Sequence, residues 1–304
     1  MDHSSRRNFI RTTSGLLGLA LAGSAWRIPK EQVLLSFSTL GCPKWTFPDI
    51  VSFAAKNGYN GIEIRGIAGQ LDLPKCPEFS SSEQILSSRK MLEEKGLHFV
   101  DLGSSAELHH LDPAERQHNL EEAKHFIDLA SKLNCPYIRV FPNKLPTDVQ
   151  REATIQLIIA NLIELGDYAK TSGVRVLMES HGDAVQTDEI KRIMESASKS
   201  HVGMVWDVVN MWSVTKETPA QVYAKLGKYI YHTHIKDLRF VNGKEQYVLL
   251  GTGEAPIFDA IESLIKGGYK GYYSFEWEKL WHPEIEEPEI ALADFPLKMN
   301  QHFN

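Results

Sequence analysis

Four short apolar runs decide the fold of this chain: VRVLME at 174–179, VGMVWD at 202–207, YIYHTH at 229–234 and YYSFE at 272–276. Apolar runs without polar alternation are typical of parallel strands that are covered on both faces of the sheet. Each run ends in a polar residue, in order Glu179, Asp207, His234 and Glu276. Stretches with helical spacing separate the runs, so one polar end recurs in each strand–helix unit.

The same alternation extends back to the start of the apolar sequence. The strand candidates are VLLSFSTLG (33–41), GIEIRG (61–66), HFVDLGSS (98–105), YIRVFP (137–142), VRVLMESH (174–181), VGMVWDVV (202–209), YIYHTHIKD (229–237) and GYYSFEWE (271–278). Amphipathic stretches lie between them, and Gly or Asn residues that end helices precede most strands. Eight such units on one chain predict an α/β protein, a single-domain (β/α)8 TIM barrel, for which about 250 residues is typical.

Closing the barrel would bring the four polar ends together. The carboxyl ends of the strands in such a barrel meet at one mouth, which is where its active sites lie. Three carboxylates and one imidazole at that mouth would repel one another unless a cation joined them. The sequence therefore predicts a divalent metal site at Glu179, Asp207, His234 and Glu276.

Composition limits the partners of this chain of 304 residues. A net charge of −6 disfavours a nucleic-acid partner, because such proteins usually carry a basic footprint. The three cysteines, Cys42, Cys76 and Cys135, are widely spaced and odd in number. They indicate neither a disulfide framework nor a CxxC metal site, and at most one pair is left to form a bridge.

The N-terminus resembles a twin-arginine export signal. SRRNFIR at 5–11 precedes the apolar stretch SGLLGLALAGSA at 14–25, which is too short to span a membrane as a mature helix. We predict that residues 1–25 are a cleaved signal peptide and that residues 26–304 form the barrel. No cysteine follows the apolar stretch, so no lipid anchor is expected. The mature protein is then periplasmic or otherwise exported, without a membrane anchor.

Strand parity assigns further polar residues to the inside of the barrel. Glu63 and Arg65 alternate with apolar residues on one strand candidate, and Arg139 does so on another. Because the apolar side must meet the helices, these charges point inward, where they need partners. Two interpretations stay open: Glu63 pairs with Arg139 and locks neighbouring strands, or these residues contact the substrate or support those that do.

Five motifs in chain order resemble those of the xylose-isomerase-like TIM barrels. They are GYNGIEIR (58–65), LMES (177–180), MVWDVVN (204–210), HTHIKD (232–237) and YYSFEWE (272–278). The family includes sugar and sugar-phosphate isomerases and epimerases, inosose-processing enzymes and endonuclease IV relatives, and the resemblance covers about residues 34–278. It implies that Glu179, Asp207, His234 and Glu276 hold one divalent ion, typically Mn²⁺, with Mg²⁺, Co²⁺ or Zn²⁺ also compatible with these ligands.

The resemblance also implies the chemistry, which is proton abstraction beside a carbonyl. Glu179 and Glu276 take the base and acid roles while they also bind the ion. The predicted substrate-binding residues are His181, Lys236, Arg65, Arg139, Asn210, Glu63 and Trp45. For His181, support of a metal ligand is an open alternative. At the position of Asn210 many members have a histidine, so the departure speaks against a nuclease-type site with three metals.

These expectations lead to two functions with one mechanism. The first is an isomerase or epimerase acting on an unphosphorylated sugar or keto sugar, since sugar phosphates are mainly cytoplasmic. The second is a lyase or hydratase acting on 3-keto-glycosides, because elimination uses the same base and ion. A non-catalytic sugar-binding barrel is a third hypothesis, and a homo-oligomer is left open. The connection 238–256 is the predicted lid.

Overall fold

The fold is described for residues 33–197 and 201–303, in a computed structural model. The predicted export signal at 1–25 lies outside the described residues. Within the described part of the chain, no helix is both long and apolar enough to cross a membrane.

Eight parallel strands close into a barrel, as the sequence predicts. The barrel strands are β1 (Leu34–Ser38), β2 (Gly61–Ile64), β3 (His98–Glu107), β4 (Tyr137–Phe141), β5 (Arg175–Glu179), β6 (Val202–Asp207), β7 (Ile230–Ile235) and β10 (Tyr272–Phe275). Two further strands, β8 (Asp237–Val241) and β9 (Lys244–Val248), form a separate sheet. Around the barrel the order is β1-β10-β7-β6-β5-β4-β3-β2. All eight predicted barrel strands are confirmed, with ends that shift by a few residues.

Helices follow the barrel strands and cover their outer face. They are α1 (Phe47–Lys56), α2 (Ser82–Glu93), α3 (Pro113–Leu133), α4 (Arg151–Ala169), α5 (Thr187–Ala197), α6 (Val208–Thr215), α7 (Pro219–Leu226), α8 (Ile257–Lys266) and α9 (Pro288–Phe303). Local sequence sets their ends. The Asp112 side chain accepts from two backbone N–H groups at the start of α3, and Asn134 ends the same helix at a φ of 55°.

Residues 237–248 form an antiparallel hairpin. The sequence analysis predicted the end of a strand at 237 and a connection from 238 onward. The strand candidate 229–237 stops at Ile235, and β8 and β9 pair with each other instead. Asn242 and Gly243 have φ values of 52° and 75°, which two-residue hairpin turns require. At the hairpin base the Asp237 carboxylate accepts from the backbone N–H groups of Gly251 and Gly253, at 2.9 and 3.0 Å. The segment predicted as a lid is thus an ordered element.

The apolar core lies between the barrel and the helices. Ile62 and Ile64, which alternate with the inward charges of β2, are fully buried members of that core. Trp206 and Trp277 are each 1% exposed and belong to the same core. The three cysteines are buried and free. The inside of the barrel holds polar side chains together with apolar ones such as Leu177 and Val205, which share a strand face with Glu179 and Asp207.

Candidate metal centre and active site

The four polar strand ends meet at the barrel mouth and are called the mouth cluster: Glu179, Asp207, His234 and Glu276. Their ligand atoms all lie within 4.8 Å of one another, and all four residues are buried. The Nδ1 atom of His234 is 3.2 Å from Glu276 Oε1, 3.5 Å from Glu179 Oε1 and 3.9 Å from Asp207 Oδ2. The predicted ligands are thus brought together around one imidazole nitrogen.

The mouth cluster fits a divalent cation. His234 Nδ1 is buried and has no hydrogen-bond partner, although buried polar atoms are normally paired. Separations of 3.2 to 3.9 Å suit ligand atoms that each bind one ion at roughly 2.0–2.2 Å. The barrel therefore contains a buried His/Glu/Asp cluster that could bind a metal.

The charges of the mouth cluster act strongly on one another. Burial raises the pKa of Asp207 to about 7, helped by Glu276 and Glu179 and opposed by Lys236. Burial lowers the pKa of His234, but Glu276, Glu63 and Glu179 outweigh it and raise this pKa well above its usual value. The carboxylates of the cluster therefore favour a positive charge at His234.

Lys236 brings an ammonium group into the mouth cluster. Its Nζ lies 2.8 Å from Asp207 Oδ2, 2.9 Å from Glu276 Oε2 and 2.5 Å from Glu278 Oε1, and its side chain is 2% exposed. Burial lowers the pKa of Lys236, but these three carboxylates raise it well above its usual value. Lys236, a predicted substrate-binding residue, thus contacts two predicted metal ligands directly.

Arg139 supports the cluster from the neighbouring strand β4. Its Nε lies 3.1 Å from Glu179 Oε2, and its Nη1 donates to the backbone carbonyl of Ser104 at 2.8 Å. The guanidinium stacks 3.8 Å from the ring centre of Phe141, and Arg139 is 1% exposed. Arg139 therefore pairs with a mouth-cluster carboxylate, and the interpretation that it pairs with Glu63 is wrong.

Arg65 lies next to Arg139, and a glycine makes room for both. A Cβ at Gly103 would lie 2.7 Å from Arg65 Cδ and 3.0 Å from Arg139 Nη2. Arg65 Nη2 donates to Ser105 Oγ at 3.0 Å, whereas its Nη1 is buried without a hydrogen-bond partner. Burial and the charge of Arg139 lower the pKa of Arg65 to about 10. An unpaired guanidinium nitrogen is thus available to a ligand oxygen.

Glu63 lies on the opposite side of the His234 ring from the mouth cluster. Its Oε2 accepts from His234 Nε2 at 3.2 Å, His232 Nε2 at 2.9 Å and Ser274 Oγ at 2.9 Å. A proton held at Nε2 leaves the Nδ1 lone pair free to bind a cation. The prediction of Glu63 as a substrate-binding residue is therefore corrected, because this fully buried carboxylate contacts histidines instead.

Asp101 on β3 was not predicted as a site residue. It is fully buried next to Glu63 in the strand register, and neither carboxylate oxygen has a hydrogen-bond partner. Burial and the charge of Glu63 raise the pKa of Asp101 well above its usual value. The signal was present, since an acidic residue stands alone in the apolar run HFVDLG. We call Glu63, Asp101, His232 and Ser274 the inner cluster.

Two further predicted residues lie at the mouth. Asn210 Nδ2 lies 3.5 Å from Glu179 Oε1 and donates to the Ser180 carbonyl at 3.3 Å. His181 Nδ1 pairs with Asn143 Oδ1 at 2.8 Å, a side-chain contact outside the mouth cluster. Asn210 is therefore beside a predicted metal ligand. His181 instead contacts the side-chain amide of Asn143, on the loop after β4.

Trp45 lies on the loop after β1 and lines a cavity of ≈ 790 Å³. Its ring packs 4.8 Å from that of Phe53. The opposite wall includes Lys279, Leu280 and Pro283, on the loop that begins at Glu276. The predicted stacking residue thus lines a cavity whose described walls include no residue of the mouth cluster.

The protein is thus a (β/α)8 barrel with a buried His/Glu/Asp cluster, which could bind a metal, at the carboxyl ends of its strands. Residues 51–294 match the family model described as Xylose isomerase-like TIM barrel. The chain therefore belongs to the xylose isomerase-like TIM barrel family, as its motifs predict.

A relative by sequence is the inosose isomerase of Halalkalibacterium halodurans. It is 24% identical over 242 residues, which is 77% of this chain and 82% of the relative. This likeness extends over most of both chains.

Three solved structures share the fold at low identity. The probable 3-DHS dehydratase AsbF of Bacillus anthracis matches 90% of this chain and 100% of its own, with a TM-score of 0.73 and 16% identity. The IOLI protein with a zinc atom matches 88% and 97%, with a TM-score of 0.72 and 18% identity. The 3-keto-D-glucoside 4-epimerase YcjR of E. coli matches 89% and 100%, with a TM-score of 0.70 and 16% identity. At these identities the likeness is one of fold.

Proposed function

We propose that this enzyme abstracts a proton next to the carbonyl of an unphosphorylated sugar or keto sugar, as a divalent-metal-dependent isomerase or epimerase. The observation that carries the proposal is the approach of two glutamates to one point. Oε1 of Glu276 and Oε1 of Glu179 lie 3.2 and 3.5 Å from the same atom, His234 Nδ1. One ion bound by Glu179, Asp207, His234 and Glu276 would polarise the carbonyl and stabilise the negative charge that develops.

The two glutamates are in the ionised form that a base requires. Burial raises the pKa of Glu276, but His234 and Lys236 outweigh it and hold this pKa well below its usual value. His234 and Arg139 likewise lower the pKa of Glu179 against the effect of burial. Glu179 and Glu276 come from β5 and from the end of β10, so one can remove a proton and the other return it.

Lys236 holds a proton beside the proposed base. Its Nζ donates to Glu276 Oε2 at 2.9 Å and is kept charged by the surrounding carboxylates. A proton taken up by Glu276 is therefore next to a charged donor. In this proposal Arg65, His181, Asn210 and Trp45 hold the sugar, and the Nη1 of Arg65, which has no hydrogen-bond partner, donates to a sugar oxygen.

Mn²⁺ is the ion that we propose for the mouth cluster. Three carboxylates and a single imidazole form an oxygen-rich set, which hard and borderline divalent ions accept. The zinc atom in the IOLI structure makes Zn²⁺ the first competitor to test.

Elimination or hydration of a 3-keto-glycoside is the second candidate function. It needs the same base and the same ion as isomerisation. A fold relative is itself a 3-keto-D-glucoside epimerase. A non-catalytic sugar-binding barrel is less well supported, since both glutamates are present and the relatives are enzymes.

Proton NMR in D₂O separates these functions. Metal-loaded protein is incubated with free sugars and with 3-keto-glycosides, and solvent deuterium incorporation and product identity are recorded. An isomerase or epimerase gives a deuterated isomer, a lyase or hydratase gives an unsaturated or hydrated product, and a binding protein gives neither.

The variant Glu276→Asp tests the role of the proposed base. It keeps the ligand type but withdraws the carboxylate by one methylene, so turnover should fall by roughly 10²–10⁴ while metal content changes little. Glu286→Asp, an exposed carboxylate on the same loop, is the matched control. Near-normal turnover of Glu276→Asp with normal metal content would leave Glu276 as a ligand alone.

We further propose that the protein is exported by the twin-arginine route, on the basis of Arg6 and Arg7 before the apolar stretch. Replacing Arg6 and Arg7 by lysine should trap the full-length precursor inside the cell. Cell fractionation and mass determination of the N-terminus measure export. Unchanged export of the variant would exclude this route.

A further inference from the structure

A second group of side chains of the kinds that bind metal ions lies on the rim of the mouth, where β3 ends. It consists of Glu107, His109 and His110, which we call the rim cluster, and its ligand atoms all lie within 4.8 Å of one another. His110 Nε2 is 3.2 Å and His109 Nδ1 is 3.6 Å from the same atom, Glu107 Oε2. The two imidazole rings lie 4.1 Å apart, so both face one carboxylate oxygen.

One nitrogen of the rim cluster lacks a partner. His109 Nδ1 is buried without a hydrogen-bond partner, and the His109 side chain is 11% exposed. At 3.6 Å its distance from Glu107 Oε2 is too long for a hydrogen bond. It is, however, a normal separation for two ligands of one ion, as in the mouth cluster, where the distances run from 3.2 to 3.9 Å.

The surroundings hold Glu107 in one orientation. Its backbone N–H donates to Asn119 Oδ1 at 2.7 Å, and the next residue, Leu108, donates to the Phe141 carbonyl at 2.9 Å. Asn143 Nδ2 donates to Glu107 Oε1 at 2.5 Å. The amide thus occupies one carboxylate oxygen and leaves Oε2 to the histidines, which is how outer contacts orient metal ligands.

We propose that Glu107, His109 and His110 form a second divalent-cation site, separate from the mouth cluster. Two imidazoles and one carboxylate match the three-ligand zinc sites that keep a fourth position open. Imidazole-rich sites prefer Zn²⁺, Co²⁺ or Ni²⁺, whereas carboxylate-rich sites also accept Mn²⁺ and Mg²⁺. The two clusters therefore differ in ion preference.

The rim site is connected to the proposed substrate site through one amide. Asn143 donates to Glu107 through Nδ2, and its Oδ1 pairs with His181 Nδ1 at 2.8 Å. An ion bound by Glu107 would fix this carboxylate, and with it the orientation of Asn143 and His181. The rim site thus acts as a positioning site for a predicted substrate-binding histidine.

Zinc stoichiometry of the chelator-treated full chain tests the proposal. Equilibrium dialysis against Zn²⁺ with elemental analysis should give about two ions per chain for the wild type and about one for His109→Ala/His110→Ala. Glu107→Gln, which keeps the side-chain shape, should also lose about one ion. The control His118→Ala/His125→Ala removes two exposed histidines of α3 and should lose none.

A mouth-cluster variant keeps the two sites distinguishable. Asp207→Asn should lose the other ion and retain the one at the rim, and thermal unfolding of the metal-free forms checks that each variant is folded. Unchanged zinc content in both His109→Ala/His110→Ala and Glu107→Gln overturns the proposal. Loss of one ion in both rim variants supports the proposal. This holds even if Asp207→Asn has the zinc content of the wild type, which would show that the mouth cluster binds no ion and would count against the proposed function.

Discussion

The mouth cluster and the inner cluster each contain a glutamate, an aspartate and a histidine, yet their charges are compensated differently. Both are buried in the barrel, and both take a histidine from β7, His234 and His232. In the mouth cluster the carboxylates contact the cations Arg139 and Lys236. In the inner cluster Glu63 receives hydrogen bonds on one oxygen only, and Asp101 receives none.

The pKa values follow this difference. Neighbouring cations lower the pKa of Glu179 and Glu276 against burial, whereas burial and Glu63 raise that of Asp101. The comparison shows that depth alone does not set the state of a carboxylate. The partners of each carboxylate decide the direction instead, since the pKa of Asp207 is raised to about 7 within the same mouth cluster.

The largest expected effect comes from removing the guanidinium group of Arg139, which pairs with Glu179 of the mouth cluster. Arg139→Met leaves Glu179 buried without its guanidinium, and breaking a buried pair in this way costs about 3–5 kcal/mol. Denaturant unfolding of the metal-free protein measures the loss. The control Arg192→Met removes an ion pair whose arginine is 47% exposed and should change stability by at most about 1 kcal/mol. Equal losses in both variants would contradict the assigned pairing.

A smaller effect, on metal affinity, is expected from Glu63, the inner-cluster residue that contacts His234 of the mouth cluster. Glu63→Gln offers an amide to His234 Nε2 and weakens the preference for the proton at that nitrogen. Metal affinity should fall by roughly 10- to 100-fold, the usual effect of losing such an outer contact. Competition with a chelator of known affinity measures it, with Ser274→Ala as the control that removes a donor to the same oxygen. Equal affinity of Glu63→Gln and the wild type would show that Glu63 does not orient the ligand.

The smallest expected effect concerns Asp101, whose folded pKa lies above its unfolded value of about 3.9. Stability from its bound proton is present below that value and is lost as the pH rises through the folded pKa. Asp101→Asn does not titrate, so its stability relative to the wild type should increase as the pH rises above about 4. The exposed Asp259→Asn should show no such trend. A pH-independent difference for Asp101→Asn would mean that its pKa is not raised.

The sequence was informative where the physical signal is local. Strand runs and their polar ends depend on residues a few positions apart, so the barrel and the four members of the mouth cluster were predicted together. Parity correctly put Glu63 inside the barrel, but it does not reveal depth or partners, so the contact with His234 was missed. Lys236 and Arg139 show the same limit, since their ion pairs join different strands.

Two other features were missed for different reasons. The Asn242–Gly243 turn is a local hairpin signal, but it lies in a polar stretch that predicted only a connection. The rim cluster depends on the extension of β3 to Glu107, beyond the predicted end at Ser105. This extension places Glu107 against two histidines that the sequence alone leaves in a loop.

The β8–β9 hairpin gives this barrel a natural point of attachment. Its tip at Asn242–Gly243 is exposed, and its base is fastened by Asp237. Exposed tips of this kind tolerate inserted sequence better than any part of the barrel wall. Because Tyr247 of the hairpin lies over Lys236, with its ring centre 5.5 Å from Nζ, a fluorophore inserted at the tip would report on the mouth without touching a residue that shapes it.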